Sequence, residues 1–431
     1  MTMKLPILAF SFVLLAGIPG VAQTARKPAR PDVIHKDSSG RVALSPQQKF
    51  VLDVVRSAVG LPQSDQQDRL RVLTAAADVV SPIQPAMSKK FAREGMRIEQ
   101  ELIVAGEKPA VSILNAGHVD CGSIQGFVEN IPESKVAVAE QSLISAASMC
   151  PKEALTPVQR KVEVALDKGV LAPRALLAVI EQVGSKSPWA EQEFSKLFSS
   201  LPTSAEDCRN DAPNFAAMYA RMAPDVSKDA AKAAGINFLN WIAKIKEGGP
   251  RNLALNIATD AMQGALGPSG YEDALAGDVV AQSVARTAGA PGEVEHPEEE
   301  SVSVLQAMNN SSVDRTAELE KLSPSRRARE AAASGFATGT NGNSKMANRY
   351  FDMAYAALND VWDNRANEKD ASAVLEEVNE AAAQVDPTDA LQRAQRLQDP
   401  SAQAIGMLAV ARVVAGQDPE QSKDSKGKRQ K

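Results

Sequence analysis

The sequence predicts an all-α protein in which short helices stack as antiparallel hairpins, in an α-solenoid-like array with no significant β-sheet. Apolar residues recur at intervals of three and four along most of the chain, as in Leu70, Leu73 and Ala77. This spacing places them on one face of a helix. Aromatic residues contribute only 4% of the chain and alanine is abundant, which favours helices over strands. Alternating apolar and polar runs bounded by turn residues are absent.

The length of the chain adds to this prediction. Its 431 residues exceed the about 250–300 residues that one hydrophobic core usually fills. Short helices joined by short connections lie antiparallel, and many such pairs in a long chain indicate a stacked array. A set of separate globular bundles is the alternative.

Helix starts are marked by a capping residue that is followed by proline. The side-chain oxygen of the cap accepts an unpaired N–H of the first turn, while proline occupies a position whose N–H has no partner. Counting such starts predicts about 15 to 17 helices of roughly 10 to 20 residues. The caps that precede a proline are Ser45, Ser187, Ser323, Asp386, Asp399 and Asp418.

The N-terminal segment has the pattern of a secretory signal peptide. Lys4 precedes an apolar run from Leu5 to Ile18, and Gly20 and Ala22 are small residues suited to a signal peptidase. We predict residues 1–22 as a signal peptide cleaved near Ala22, because the run is shorter than the ~20 residues that cross a bilayer. The protein is therefore expected to be exported, to the periplasm or the outside of the cell, with no transmembrane span in the mature chain.

Composition divides the rest of the chain into two helical segments, one linker and two tails. The linker lies in a stretch with two glycines, two prolines and five glutamates, which indicates a solvated loop. Both tails lack apolar periodicity and are predicted to be disordered. Electrostatic contact of their basic residues with an envelope surface is the alternative. The predicted segments are a tail at 23–43, a helical array at 44–288, an acidic linker at 289–300, C-terminal hairpins at 301–417 and a basic tail at 418–431.

The stretch 335–358, GFATGTNGNSKMANRYFDMAYAAL, raises the question of a phosphate-binding loop. Such a loop needs glycine directly before the lysine, serine or threonine after it, and a strand in front. Here Lys345 follows Ser344 and precedes Met346, and the upstream residues have a helical pattern. We therefore expect no nucleotide site and interpret the stretch as the turn of a helical hairpin.

Residues 328–361 resemble one tetratricopeptide-type hairpin. Gly335 matches the small position of the first helix, and Gly342 matches the turn glycine. Ala347, Phe351 and Ala354 match the small and aromatic positions of the second helix. The resemblance implies a scaffold whose stacked hairpins present a concave groove to a peptide or protein partner.

The same segment departs from the family pattern. Ala331 replaces the usual tryptophan, Thr338 the tyrosine and Asn359 the closing proline. Ligand-contacting residues of the family lie on the first helix, where the match is poorest, so no binding residue is carried over. Residues 389–420 have the pattern of a second helical hairpin, with Asp399 at its turn.

One segment gathers residue types that carry chemistry. His118, Asp120 and Cys121 lie together in the glycine-bearing stretch 115–126, and a thiol beside an imidazole is typical of a nucleophile or of two zinc ligands. The other histidines, His35 and His296, fall in the predicted tail and linker. These three residues are our functional candidates, and a structural turn between helices is the competing interpretation.

The chain has three cysteines, which in an exported protein allows at most one disulfide. Cys150 lies in helical register with apolar residues and so faces a neighbouring helix. We expect Cys121 and Cys150 to pair, which leaves Cys208 over.

Composition also bounds the function. The net charge of −5 argues against a nucleic-acid partner, which needs a clustered basic surface. We predict no catalytic, cofactor-binding or metal-binding residues and no enzymatic activity. The favoured function is an exported helical-repeat scaffold that binds a protein or peptide in the cell envelope. One alternative is a hydrolase or lyase that uses cleft carboxylates, and another is an assembly factor docked by its basic tails.

Overall fold

The all-α prediction is confirmed. A computed structural model of the protein describes residues 44–63, 65–116, 119–288, 314–366 and 370–416. Within these ranges the chain forms eighteen α-helices and three short 3-10 segments, and no β-strand. The predicted signal peptide, both tails and the acidic linker lie outside the described residues. None of the described helices is both long and apolar enough to cross a membrane.

The helices follow one another with short connections. The first twelve are α1 Pro46–Gly60, α2 Gln66–Val80, α3 Pro85–Ala105, α4 Cys121–Glu129, α5 Glu140–Met149, α6 Leu155–Asp167, α7 Pro173–Val183, α8 Pro188–Ser199, α9 Ala212–Met222, α10 Lys228–Ile242, α11 Gly249–Ala276 and α12 Val279–Ala285. The other six are α13 Thr316–Leu319, α14 Pro324–Thr340, α15 Ser344–Asp363, α16 Ala371–Val385, α17 Pro387–Ala394 and α18 Pro400–Gly416. The 3-10 segments are Ile113–Asn115, Glu133–Lys135 and Glu206–Asp211.

Side-chain caps start several helices where the sequence predicts them. The Ser187 hydroxyl accepts a hydrogen bond from Ala190 N at 3.2 Å. Asp386 caps α17, and Asp399 accepts the first free amides of α18. Ser323 differs, because its side chain makes no capping hydrogen bond. Its carbonyl oxygen accepts Arg327 N at 2.8 Å, so α14 starts from the backbone and from proline at its first position.

Consecutive helices pack as pairs, and the pairs stack on one another. The closest sequential pairs are α2 with α3, α10 with α11, and α14 with α15. Between pairs, α5 packs on α7, α7 on α9, and α9 on α11. These contacts are those expected of stacked hairpins, while the solenoid arrangement as a whole stays a prediction.

The C-terminal helices pack beside the first helices of the chain. Helix α18 packs on α1 and α2, α16 packs on α18, and α14 packs on α16. The sequence of α18 is apolar almost all round, and twelve of its seventeen residues are buried. A helix without a polar face needs neighbours on several sides, and α1, α2, α16 and α17 supply them. All described helices belong to one compact unit that begins at Pro46, while the predicted division at residue 288 stays a prediction.

An aromatic cluster fills the core between α8, α9 and α10. The Phe198 ring lies 5.6 Å from Tyr219 and 5.4 Å from Phe238, both edge-on, as measured between ring centroids. Such edge-to-face contacts stabilise cores beyond the area they bury. The buried Tyr219 hydroxyl donates to the Ala231 carbonyl at 2.9 Å, which satisfies its one donor inside the core.

The glycine-rich stretch is the turn of the α14–α15 hairpin. Gly342 has a φ of +83°, which only glycine adopts without strain. Asn343 then caps α15 by accepting Met346 N at 3.2 Å. At Gly335 a Cβ atom would lie 2.9 Å from the ring of Phe351, so the missing side chain lets the two helices approach.

Replacing Gly335 by alanine is expected to lower the free energy of unfolding by about 1–3 kcal/mol, because overpacking forces the buried Phe351 ring to move. Gly264 in α11 is the matched control, since a Cβ atom added there would have no neighbour within 4 Å. At that position alanine should raise the free energy of unfolding by up to ~1 kcal/mol, through helix propensity alone. Urea denaturation of both variants checks this, and equal stabilisation by the two alanines would contradict the close packing.

Candidate functional site

The stretch predicted to carry chemistry is the start of a helix. Gly117 and His118 lie outside the described residues. Asp120 is the cap of α4, and its carboxylate accepts Ser123 N and the Ser123 hydroxyl, each at 2.9 Å. These hydrogen bonds lower the pKa of Asp120, since they favour the charged form. The carboxylate is therefore engaged in holding the first turn of α4.

Cys121 and Cys150 are joined in a disulfide, with their Cα atoms 5.7 Å apart. The bond ties the start of α4 to the end of α5. A sulfur in a disulfide is neither a thiolate nucleophile nor a zinc ligand, so this segment has a structural role here. Cys208 is a free, half-buried thiol, and burial, followed by the nearby charges of Asp211 and Asp207, raises its pKa.

Two neighbouring cavities, which the sequence analysis missed, form a different candidate site. The first, here called the aspartate cavity, has a volume of about 530 Å³ and lies between the start of α2, the end of α15 and the start of α16. Its charged lining residues are Asp65, Asp68, Arg71, Asp363 and Arg365. The second, the cysteine cavity, has a volume of about 340 Å³ and lies against the connections that lead into α7 and α9. Its lining includes Val170, Leu171, Pro173, Pro202, Cys208 and Phe215.

Asp68 is the most buried charged group of the aspartate cavity, with 1% of its surface exposed. Its Oδ1 atom pairs with Arg71 Nη1 at 3.1 Å, while Oδ2 makes no hydrogen bond among the described residues. Burial raises the pKa of Asp68, and the positive charge of Arg71 opposes that rise. The carboxylate is therefore desolvated and only half satisfied.

Arg365 also lines the aspartate cavity, and its positive charge contributes to lowering the pKa of Asp68. Its guanidinium carbon lies 5.0 Å from the centroid of the Trp362 ring, and its Nη1 donates to the Trp362 carbonyl at 3.1 Å. A cation stacked on an indole face is stabilised by the ring quadrupole. The ring and the backbone carbonyl of Trp362, at the end of α15, thus orient the Arg365 side chain.

The cysteine cavity is mainly apolar, and its buried carboxylate has a structural partner. Glu140, at the start of α5, accepts Arg174 N in the first turn of α7 at 2.8 Å. Burial raises the pKa of Glu140, and this hydrogen bond opposes the rise. Through this hydrogen bond the Glu140 carboxylate connects α5 to α7, so its Oε1 atom already has a partner within the protein.

The two cavities border the same short segment. Lys108 lines the cysteine cavity and Ala110 lines the aspartate cavity. The side chain of Gln67 fixes this segment, because its Nε2 donates to the Lys108 carbonyl at 3.1 Å and its Oε1 accepts Ala110 N at 2.9 Å. We call the two cavities and the segment between them the loop groove. Its lining residues come from the starts of α2 and α16, the end of α15 and the residues before α7 and α9.

A third cavity, of about 510 Å³, lies between α4 and α6 away from this groove. Its charged lining residues include Glu129, Glu133 and Lys161. Lys161 donates to the Ile131 carbonyl at 2.7 Å, and none of the lining groups is a buried polar atom without a partner. Within the described residues, no three His, Cys, Asp or Glu side chains are grouped to hold a metal ion.

Comparison with known proteins adds no family. Neither a family model, nor a curated protein, nor a solved structure matches the chain. One signal in the sequence does point to the loop groove. Asp68 lies four residues before Val72 and eight before Ala76, on the buried face of α2. A charged residue in register with a buried stripe indicates a special environment.

Proposed function

We propose that the protein is an exported helical scaffold that binds a peptide or protein segment along the loop groove. The observation that carries the proposal is that Lys108 lines one cavity and Ala110, two residues further on, lines the other. A chain in extended conformation needs successive subsites, and adjacent cavities along one edge of an array supply them.

The two cavities would select different side chains. The lining of the aspartate cavity is mostly polar and charged, while the cysteine cavity combines aliphatic residues, two prolines and Phe215 with the charged Lys108, Glu140 and Asp211. A peptide with a charged residue a few positions from an apolar one would complement both. Mixed polar and apolar linings are usual where peptides bind with both affinity and orientation.

The proposed location is the cell envelope or the medium outside it. The predicted leader at 1–22 supports export, and a disulfide between Cys121 and Cys150 suits an oxidising compartment. The resemblance of residues 328–361 to a tetratricopeptide-type hairpin supports the scaffold part of the proposal, because such hairpins serve as binding surfaces.

The hydrolase or lyase alternative has less support. A pair of catalytic carboxylates has to act on one substrate. Of the three aspartates that line the aspartate cavity, Asp65 accepts Gln67 N at the start of α2 and Asp68 is paired with Arg71. Glu140 is also committed to capping α7. A binding function needs none of these groups to exchange protons.

A blocked groove tests the proposal. Peptides selected from a displayed random library on the mature protein should bind the Ala110→Trp variant at least about tenfold more weakly, equivalent to ~1.4 kcal/mol. The indole would fill the exposed position between the two cavities. Fluorescence anisotropy with labelled peptides measures the dissociation constants.

Ala233→Trp is the matched control, because Ala233 is also exposed but lies on α10 and lines neither cavity. It should leave the affinity unchanged. Selection that enriches no peptide, or peptides that bind the Ala110→Trp variant as tightly as the parent, would count against the loop groove as the binding site.

A further inference from the structure

The segment between the two cavities is held in place by side chains from two helices. Gln67 of α2 fixes the backbone of Lys108 and Ala110. Three residues after Ala110, the N–H of Ile113 donates to Oε2 of Glu99 on α3 at 2.9 Å. The Glu99 side chain is completely buried, so this second anchor lies in a site without contact with solvent. Together the two anchors set the path of the segment.

Helix α3 also provides room for the side chain of Ile113. A Cβ atom added at Gly95, one turn before Glu99, would lie 2.7 Å from Ile113 Cγ1, so the absent side chain allows this close approach. Ser142 of α5 completes the junction, because its hydroxyl donates to Glu99 Oε1 at 2.5 Å. The Glu99 carboxyl group thus lies where α3, α5 and the 3-10 segment Ile113–Asn115 meet.

No charged side chain among the described residues compensates Glu99. Burial raises its pKa to about 7, and hydrogen bonds from Ser142, Ile113 and Ser112 oppose the rise. The 3-10 segment contains no titratable residue, and the other charged side chains of α2, α3 and α5 are paired elsewhere or exposed. The pairs are Arg71 with Asp68, Arg69 with Glu94, Arg97 with Glu101, and Glu140 with the Arg174 amide. The exposed residues are Asp78, Lys89, Lys90 and Arg93.

Ionisation of Glu99 is coupled to the position of the segment. A buried carboxylate without a counter-ion is strongly unfavourable, and a movement that admits water to it relieves the penalty. Helices α3 and α5 keep their own ladders of hydrogen bonds, whereas the 3-10 segment has three residues and residues 107–112 belong to no helix. Short elements with few backbone hydrogen bonds open most easily. The segment is therefore the part that moves when Glu99 loses its proton.

We propose that Glu99 is a positioning residue of the loop groove, whose protonated form keeps the segment between the cavities in the place that peptide binding needs. This inference rests on the proposed function, because the peptide is the ligand of that groove. A peptide that binds only the closed arrangement has an apparent affinity that falls with the closed fraction of the protein. The affinity should therefore fall as the pH rises from 4.5 to about 7 and change little above it.

Hydrogen exchange tests the movement without any peptide. The exchange of residues 107–116 is compared between the parent and the Glu99→Gln variant at the same pH, which cancels the pH dependence of the exchange chemistry. Glutamine resembles the protonated carboxyl, so the two proteins should match at about pH 4.5, and the parent should exchange at least about tenfold faster at about pH 7.5. This difference should persist unchanged in urea up to about 1 M, as local opening does and global unfolding does not.

Groove-dependent peptides then test the coupling to binding. Peptides that lose affinity for the Ala110→Trp variant should bind the parent at least about threefold more weakly at about pH 7.5 than at about pH 4.5, relative to Glu99→Gln. The same peptide is used for both proteins, which cancels its own titration and that of Asp68 and Glu140. In calorimetry at about pH 6, with buffers of different ionisation enthalpy, the parent should take up more protons on binding than the variant. Glu101→Gln is the matched control and should behave as the parent.

The inference is overturned if residues 107–116 exchange alike in the parent and in Glu99→Gln, if their faster exchange in the parent follows global unfolding, or if both proteins show the same pH profile of peptide affinity. Its failure is separable from that of the proposed function. Peptides that depend on Ala110 but bind both proteins with the same pH profile would keep the groove and remove the role of Glu99. Local opening controlled by Glu99, without any groove-dependent peptide, would remove the proposed function and leave Glu99 in control of the segment.

Discussion

The free energy of unfolding of the parent protein is expected to fall by about 3 kcal/mol as the pH rises from 4.5 to 7, and the Glu99→Gln variant is expected to lack this fall. Glu99 lies on α3 and is completely buried. Its Oε1 accepts the Ser142 hydroxyl of α5 at 2.5 Å, and its Oε2 accepts Ile113 N at 2.9 Å. It thus joins α3, a 3-10 segment and α5, with no basic residue paired to it among the described ones.

The sign of the effect follows from the pKa of Glu99. Burial raises it from 4.5 to about 7, and the hydrogen bonds from Ser142 and Ile113 oppose the rise. Between these two values the folded chain keeps the proton while the unfolded chain releases it. The free energy of unfolding therefore falls as the pH rises, by about 1.4 kcal/mol per unit. This destabilisation by Glu99 is absent below pH 4.5 and reaches its full size above pH 7.

Urea denaturation at several pH values from about 4.5 to 7.5 measures this contribution. Glutamine resembles the protonated carboxyl, so the Glu99→Gln variant should show a flatter dependence than the parent. Glu101→Gln is the matched control, because Glu101 lies on the same helix but is exposed and pairs with Arg97. Parallel stability curves for the parent and the Glu99→Gln variant would show that Glu99 titrates normally.

Removing the disulfide is expected to lower the free energy of unfolding by about 3–4 kcal/mol. Cys121 and Cys150 are 29 positions apart, and this magnitude follows from the chain entropy that closing such a loop removes from the unfolded state. The double variant Cys121→Ser, Cys150→Ser should therefore unfold at markedly lower urea concentration. Cys208→Ser, which changes a free thiol, should have a much smaller effect.

Alkylation under denaturing conditions followed by intact-mass measurement checks the pairing itself. The parent should incorporate one label before reduction and three after it, in keeping with its three cysteines. Three labels without reduction, or equal stability of the double serine variant and the parent, would contradict a stabilising bond between Cys121 and Cys150.

Local features of the fold were predictable, because they depend on residues close together in the sequence. The cap and proline at Asp386 and Asp399 mark real helix starts, and Gly342 marks the turn between α14 and α15. The pairing of α18 with α1 and α2 was not predictable. Apolar periodicity shows that a helix has a buried face, but not which helix covers it.

The loop groove was missed for the same reason. The aspartate cavity joins residues at the start of α2 to Asp363, Arg365 and Ala371, which only the packing of the last helices against the first brings together. The cysteine cavity likewise joins residues distant in sequence, such as Lys108, Val170 and Phe215. Asp68 was visible as a charge in register with a buried stripe, but its cavity was not. Residue type alone made Asp120 and Cys121 functional candidates. In the structure Asp120 caps α4 and Cys121 forms a disulfide with Cys150.

The position of α18 has a consequence for the order in which the protein matures. Helices α1 and α2 leave the ribosome first among the described helices, yet the helix that covers them is synthesised last. Contacts between such distant segments form slowly, because a long stretch of chain has to be closed before they stabilise anything. Until then the newly synthesised chain exposes the apolar faces of its earliest helices, a state that chaperones protect from aggregation.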